Sequence, residues 1–160
     1  MMKRNVRHIC FIAMSAAMML AGCVSSSIVW TGNHSFSSLR WQPEELVVFT
    51  PDTMSVGDST VTATRGVLSI RYSAGAEVET LPLVMEIESP GTGLYRCDTI
   101  REQLLPMSER TAHKGKMGIF ETIDTVPLHS AVTPGWTVSF YPASEEDIDG
   151  IISLTLDIIK

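Results

Sequence analysis

The chain is expected to be all-β: an antiparallel β-sandwich, immunoglobulin-like, of about eight short strands. Three observations predict it. Apolar residues recur at every second position along several stretches, turn residues separate those stretches, and no segment beyond the N-terminal leader holds a 3.6-residue apolar stripe for three turns.

The strands follow in order. Ile28–Thr31 and Leu46–Thr50 are short candidates, the second closed by Pro51-Asp52. Leu68, Ile70 and Tyr72 share a face, with Ser69 and Arg71 opposite. Leu81, Leu83, Met85 and Ile87 alternate with Glu86 and Glu88, and Ser89-Pro90-Gly91 supplies the turn. Pro82 cannot donate to a ladder, so its strand is expected to begin there or to run along an edge. Leu94–Thr99 and Met117–Ile123 are further short candidates. Between them Thr99–Lys114 is the best helical stretch, and Pro106 is expected to break or kink it. After Pro134-Gly135, Trp136, Val138 and Phe140 alternate with Thr137 and Ser139. After Asp149-Gly150, Ile152, Leu154, Leu156 and Ile158 alternate with Ser153, Thr155 and Asp157. With Lys160 following directly, Leu154–Ile158 is expected to lie inside a sheet or to be offered to a partner as a template.

The N-terminus carries an address. Lys3, Arg4 and Arg7 precede an apolar run from Ile9 to Leu20, about 18 Å long as a helix and too short to span a hydrocarbon core of about 30 Å. The run suits a secretory signal. Leu20-Ala21-Gly22-Cys23 looks like the lipobox of bacterial lipoproteins, in which cleavage after the residue at Gly22 frees a cysteine for acylation. The expected organisation is a signal peptide over 1–22, a lipidated Cys23 with a short tether over 23–27, and a single domain over 28–160. A tether of about four flexible residues reaches roughly 10 Å, so the body sits close to the bilayer. No acidic residue stands directly after Cys23, and the likeness to bacterial lipoproteins then implies the outer membrane, facing the periplasm, as the expected address.

Charge excludes one class of partner. All three leader charges are basic, which leaves nine of the 12 basic residues against 18 acidic ones, a formal net charge of −9 after cleavage. Phosphate backbones repel such a body, so nucleic acid is not expected as a partner.

Constellations for catalysis or metal binding are sparse. His34, His113 and His129 are at least 16 residues apart and have no metal-ligand spacing. Cys97 could act as a nucleophile with His129 as base, but Leu94-Tyr95-Arg96-Cys97 places it in an alternating strand, where a small buried residue is expected. Gly115-Lys116 lacks the rest of a phosphate loop. Glu145, Asp147, Asp149 and Gly150 echo the opening of a calcium loop, yet Leu156 stands where a bidentate glutamate belongs; a solvated hairpin loop is expected. No catalytic residue, metal or cofactor is therefore assigned. Trp136 is expected in the core, while Trp30 and Trp41 flank irregular sequence and are the candidate exposed contacts.

From Cys23 to Lys160 the chain resembles the gliding-motility lipoprotein H (GldH) family of Bacteroidetes. The resemblance lies in Trp41 ahead of Leu46–Phe49, Leu68-Ser69-Ile70-Arg71-Tyr72, Leu81-Pro82-Leu83, Asp98-Thr99, Gly115-Lys116-Met117-Gly118 and Pro134-Gly135-Trp136. Its most specific part is Ile148-Asp149-Gly150-Ile151 with Leu156, Ile158 and Lys160. The chain departs from the family at Ser89-Pro90-Gly91, at Thr155 and in the length of the Thr64–Ala76 region. The resemblance implies a lipid-anchored envelope protein, linked in gliding species to cell movement and surface functions, with no assigned enzymatic activity.

Two functions follow as expectations. One is a structural or interaction component, held to the membrane through Cys23 and docking an envelope protein in motility or secretion. The alternative is a glycan-binding module that uses an aromatic platform near Trp30 or Trp41.

Overall fold

The computed structural model describes residues 28–51, 63–89, 95–112, 117–132 and 135–159. Gly22, Cys23 and the tether lie outside the described residues, as do His113, Gly115-Lys116 and Lys160. The chain forms β1 (Ile28–Ser35), β2 (Arg40–Trp41), β3 (Val47–Phe49), β4 (Ala63–Ser73), β5 (Thr80–Glu88) and β6 (Tyr95–Gln103). A short helix α1 (Met107–Ala112) follows, then β7 (Ile119–Val132), β8 (Thr137–Pro142), β9 (Ile148–Asp149) and β10 (Ile151–Ile159).

The expected all-β antiparallel sandwich is what the chain adopts. One sheet has the order β1-β10-β4-β7 and the other β3-β8-β5-β6, and every pairing is antiparallel. The two-residue β2 and β9 form a small separate ribbon. Within the sandwich class, the eight strands of the two sheets follow jelly-roll order: first, eighth, third and sixth in one sheet, second, seventh, fourth and fifth in the other. Alternation fixes which side chains turn inward; it does not say which sheet a strand joins, so the immunoglobulin-like comparison goes no further than the layers.

The inward rows are the predicted ones except at the start of β10, where a register shift between Ile151 and Ser153 buries those two and leaves Ile152 half-buried. Leu81, Leu83, Met85 and Ile87 from β5 are buried, as are Leu68, Ile70 and Tyr72 from β4 and Leu154, Leu156 and Ile158 from β10. A two-residue side-chain repeat on each sheet delivers these rows to one layer between the sheets.

One edge expectation is resolved and the other corrected. β10 lies between β1 and β4, so Leu154–Ile158 takes the sheet-interior place and is not a free template. β5 lies between β8 and β6 and begins at Thr80, so the Pro82 strand neither begins at Pro82 nor runs along an edge. The Pro82 carbonyl accepts from the Ala143 amide at 2.9 Å, just past the last residue of β8. Its missing N–H therefore falls where the ladder has already ended, which is how a central strand tolerates it.

Pro106 begins a helix instead of breaking one. Its carbonyl accepts from the amides of Glu109 and Arg110, both at 3.0 Å, and the ring needs no donor at a helix start. The helix carries Arg110 into the interior, where Nη2 donates to the Val78 carbonyl at 3.2 Å and Nη1 donates to that of Ala76. The guanidinium also lies 5.7 Å from the centre of the Tyr72 ring. Thus α1 pins the connection between β4 and β5. At the Asp149-Gly150 turn the glycine is required: φ is +86°, and a Cβ there would stand 2.6 Å from the Ala76 Cα.

Candidate functional site

Among the side chains that face away from the core on the β3-β8-β5-β6 sheet, two central rows stand side by side. Val48, Ser139, Glu86 and Cys97 are successive partners across all four strands. Beside them Tyr141, Val84 and Thr99 are partners across β8, β5 and β6. Val48, Val84, Glu86, Ser139 and Tyr141 each lie one residue from a core position such as Val47, Phe140, Met85 or Val138, so the strand period turns them outward, and their ladder partners Cys97 and Thr99 share that facing.

The geometry of this face is specific. The Tyr141 hydroxyl donates to Glu86 Oε1 at 3.0 Å, although the direct partner of Tyr141 is Val84. The ring thus leans diagonally across β5 instead of standing upright, a reach open to long side chains at diagonal positions. Ser139 points outward yet is only 8% exposed, while Val48 beside it is 50% exposed. The small Ser139 is thus covered by the larger side chains beside it on this face. The hydrogen bond to Glu86, helped by partial burial and the carboxylate charge, raises the Tyr141 phenol above its ordinary pKa. An aromatic ring, a carboxylate acceptor and hydroxyl groups on one shallow surface suit stacking on a ring of C–H groups and bonding to its hydroxyls.

The opposite outer face is different in kind. On β1 and β10, Thr31 Oγ1 donates to Asp157 Oδ1 at 2.7 Å, and Asn33 Nδ2 donates to Thr155 Oγ1 at 2.8 Å. These groups satisfy one another, and the described side chains of that face include no aromatic.

The acidic loops form two open clefts at one end of the sandwich. One, of about 290 Å³, is lined by Gln42, Pro43, Glu44, Glu145 and Asp147. The other, of about 250 Å³, includes Glu77, Glu146, Asp147 and Asp149. Arg40 Nε donates to Asp149 at 2.7 Å and Nη1 approaches Asp147 at 3.4 Å. A guanidinium therefore engages two of the three carboxylates that echo a calcium loop. Among the described residues no three His, Cys, Asp or Glu side chains converge as a metal site.

One buried acid stands apart. Glu102, on the core side of β6, is 3% exposed, and its pKa is raised to about 7 by burial and by the charge of Asp124.

The sequence-predicted contacts fare unequally. Trp41 is corrected: it is fully buried, its Nε1 donates to the Glu45 carbonyl at 2.9 Å, and its ring lies 5.1 Å from that of Phe36. Irregular flanking sequence does not expose a ring that a neighbouring loop covers. Trp30 is half-buried, lies over Gly32 and meets Phe49 edge-on at 6.2 Å, so it clamps β1 to β3. Trp136 is half-buried and packs against the core. Cys97 is also corrected: it is exposed. On β6 it is Arg96 and Asp98 that take the core side, at its rim, where they pair at 2.9 Å. The His129 side chain lies outside the described residues. His34 is half-buried, 3.6 Å from Glu45 and packed against Phe36. Tyr141 went unassigned in the sequence, although it extends the outward row of Thr137 and Ser139 by one step.

No protein-family model matches the chain, and no curated protein matches it. Among solved structures, it is similar to a carbohydrate binding module from a family 9 glycoside hydrolase of Ruminococcus flavefaciens, with TM-score 0.48 and 13% identity, covering 82% of this chain and 98% of that one. A carbohydrate-binding module specific for non-crystalline cellulose gives TM-score 0.42 at 7% identity, covering 82% of this chain and 73% of that one. Eiger, a TNF from S. frugiperda, gives TM-score 0.39 at 10% identity, covering 84% of this chain and 94% of that one.

Proposed function

We propose that the protein is a glycan-binding module held to the cell envelope by lipid on Cys23, with the outer face of the β3-β8-β5-β6 sheet as its binding surface. The observation that carries this reading is the Tyr141–Glu86 pair beside the covered Ser139. A sugar ring stacks its C–H face on the leaning phenol ring, while Glu86 accepts from a pair of its hydroxyls and Ser139 and Thr99 supply further bonds. Binding through one ring and a few polar groups is weak for a single site, and density on a membrane offsets this.

The test is affinity electrophoresis and calorimetry against a panel of neutral and acidic polysaccharides, with Tyr141→Ala alongside. Retention by at least one glycan, reduced tenfold or more in the variant, is the expected result. Retention unaltered in Tyr141→Ala would remove this face from consideration.

The lipobox supports the anchor. Two acyl chains make a stable attachment, so Cys23→Ala is expected to move the protein from the membrane to the soluble fraction. The resemblance to the gliding-motility lipoprotein H family supports a second role as an envelope component with a protein partner. Cross-linking in cells, read by mass spectrometry and compared with Cys23→Ala, tests that role; capture of no envelope protein counts against it.

A further inference from the structure

The β7 strand ends its sheet, and among the described residues nothing pairs with its outer side. On the outward face it exposes Ile123 at 62% and Ile119 at 39%. A long edge with exposed apolar side chains is a template for another strand. The sequence of β7 states which strand fits it.

We infer that the β7 edge pairs with β7 of a second copy, antiparallel, about a two-fold axis through Ile123. For two sandwiches to join with like faces on the same side, residues of the same facing must meet. That limits the registers to those centred on a residue. Centring on Glu121 or Asp124 sets a carboxylate directly against its own copy, which is destabilising. Centring on Thr122 sets Asp124 against Phe120 and Glu121 against Ile123. Centring on Ile123 meets its own copy there, sets Glu121 against Thr125 and Asp124 against Thr122, and sets Phe120 against Val126 and Ile119 against Pro127. Every acid then faces a hydroxyl and every apolar residue an apolar one, over the stretch from Ile119 to Pro127. This is the self-complementarity an isologous two-fold interface requires.

The pairing makes one eight-stranded sheet from two four-stranded ones. Because the axis is perpendicular to the sheet, the two β3-β8-β5-β6 faces end on the same side of the assembly. The inference does not depend on what those faces bind.

The experiment is disulfide trapping in cells expressing the full chain, with Cys97→Ser as the parent and its background subtracted. Residues directly opposite in an antiparallel pair have Cα atoms about 5 Å apart, within disulfide reach. Ile123→Cys in that parent is expected to give a dimer on a non-reducing gel. Glu121→Cys co-expressed with Thr125→Cys is expected to give a mixed dimer. Glu121→Cys alone is not, since the two copies of residue 121 stand about 13 Å apart along the strands. Absence of the Ile123→Cys dimer overturns the inference, and so does an equal yield from Glu121→Cys alone, which marks random collision. Ile123→Lys, checked for an unchanged melting temperature, is expected to abolish association in sedimentation, and a dimer that persists also overturns it.

Discussion

Replacing Trp41 by alanine removes a fully buried ring and strands the Glu45 carbonyl that its Nε1 satisfies. The unfolding free energy is expected to fall by about 3–5 kcal/mol in a urea titration. Tyr141→Ala, at a half-buried position on the open face, is expected to cost less than about 1.5 kcal/mol while removing glycan retention. Equal losses of stability in the two would contradict the assignment of one ring to the core and the other to the surface. Glu102 makes a different prediction. Its carboxyl, raised to about 7, keeps its proton in the folded state at pH values where the unfolded chain has already lost it. Folded protein then binds more protons between about pH 4.5 and 7, so this group's contribution makes stability fall as pH rises through that window. Glu102→Gln, which keeps a neutral side chain, is expected to leave the melting temperature unchanged at pH 4.5. At pH 8 it is expected to raise stability by up to about 3 kcal/mol. A loss at pH 8 would show that the charged carboxylate is stabilised in the folded chain.

At the scale of elements, the strands were legible because half-buried antiparallel strands write their facing into every second residue. Leu81 to Ile87 and Trp136 to Phe140 announced their inward rows without reference to any neighbour. Outward rows carry the same information, and Tyr141 was readable as the continuation of Thr137 and Ser139. Its significance was not, because the leaning of the ring toward Glu86 depends on β5 lying beside β8, a pairing between residues far apart in sequence. Cys97 failed for a related reason. In an edge strand the core side can be closed by a charged pair at the rim, so alternation survives while its polarity reverses. Pro106 shows the limit of local rules in the other direction: the same ring that ends one element starts α1. Arg110 ties that helix to the β4–β5 connection through two carbonyls and the face of Tyr72. Arg110→Ala is expected to lose hydrogen-exchange protection first in residues 74–79, ahead of β4 and β5. Uniform loss across both sheets would mean that α1 stabilises the whole domain and not this connection.

On the scale of the molecule, the fold separates its two ends. Ile28 and Ile159 meet at the end where the chain enters β1, while the acidic loops around Arg40, Asp147 and Asp149 lie beyond the other ends of β1 and β10. On the proposed lipid anchor at Cys23, the acidic loops would stand at the end of β1 and β10 away from Ile28, which would limit their repulsion by anionic headgroups. Between the ends, one outer face pairs Thr31 with Asp157 and Asn33 with Thr155, and the second carries the Tyr141 ring with its hydroxyl bonded to Glu86. The central claim is that this second face binds glycan. It is tested most directly by amide and methyl chemical-shift mapping of the isotopically labelled protein, titrated with the oligosaccharide of whichever polysaccharide retains it. Shifts concentrated at Val48, Val84, Glu86, Thr99, Ser139 and Tyr141, with β1 and the outward residues of β4 unmoved, are the predicted result. Saturating shifts at the acidic clefts or on the β1-β10-β4-β7 face, with the Tyr141 region silent, would contradict it.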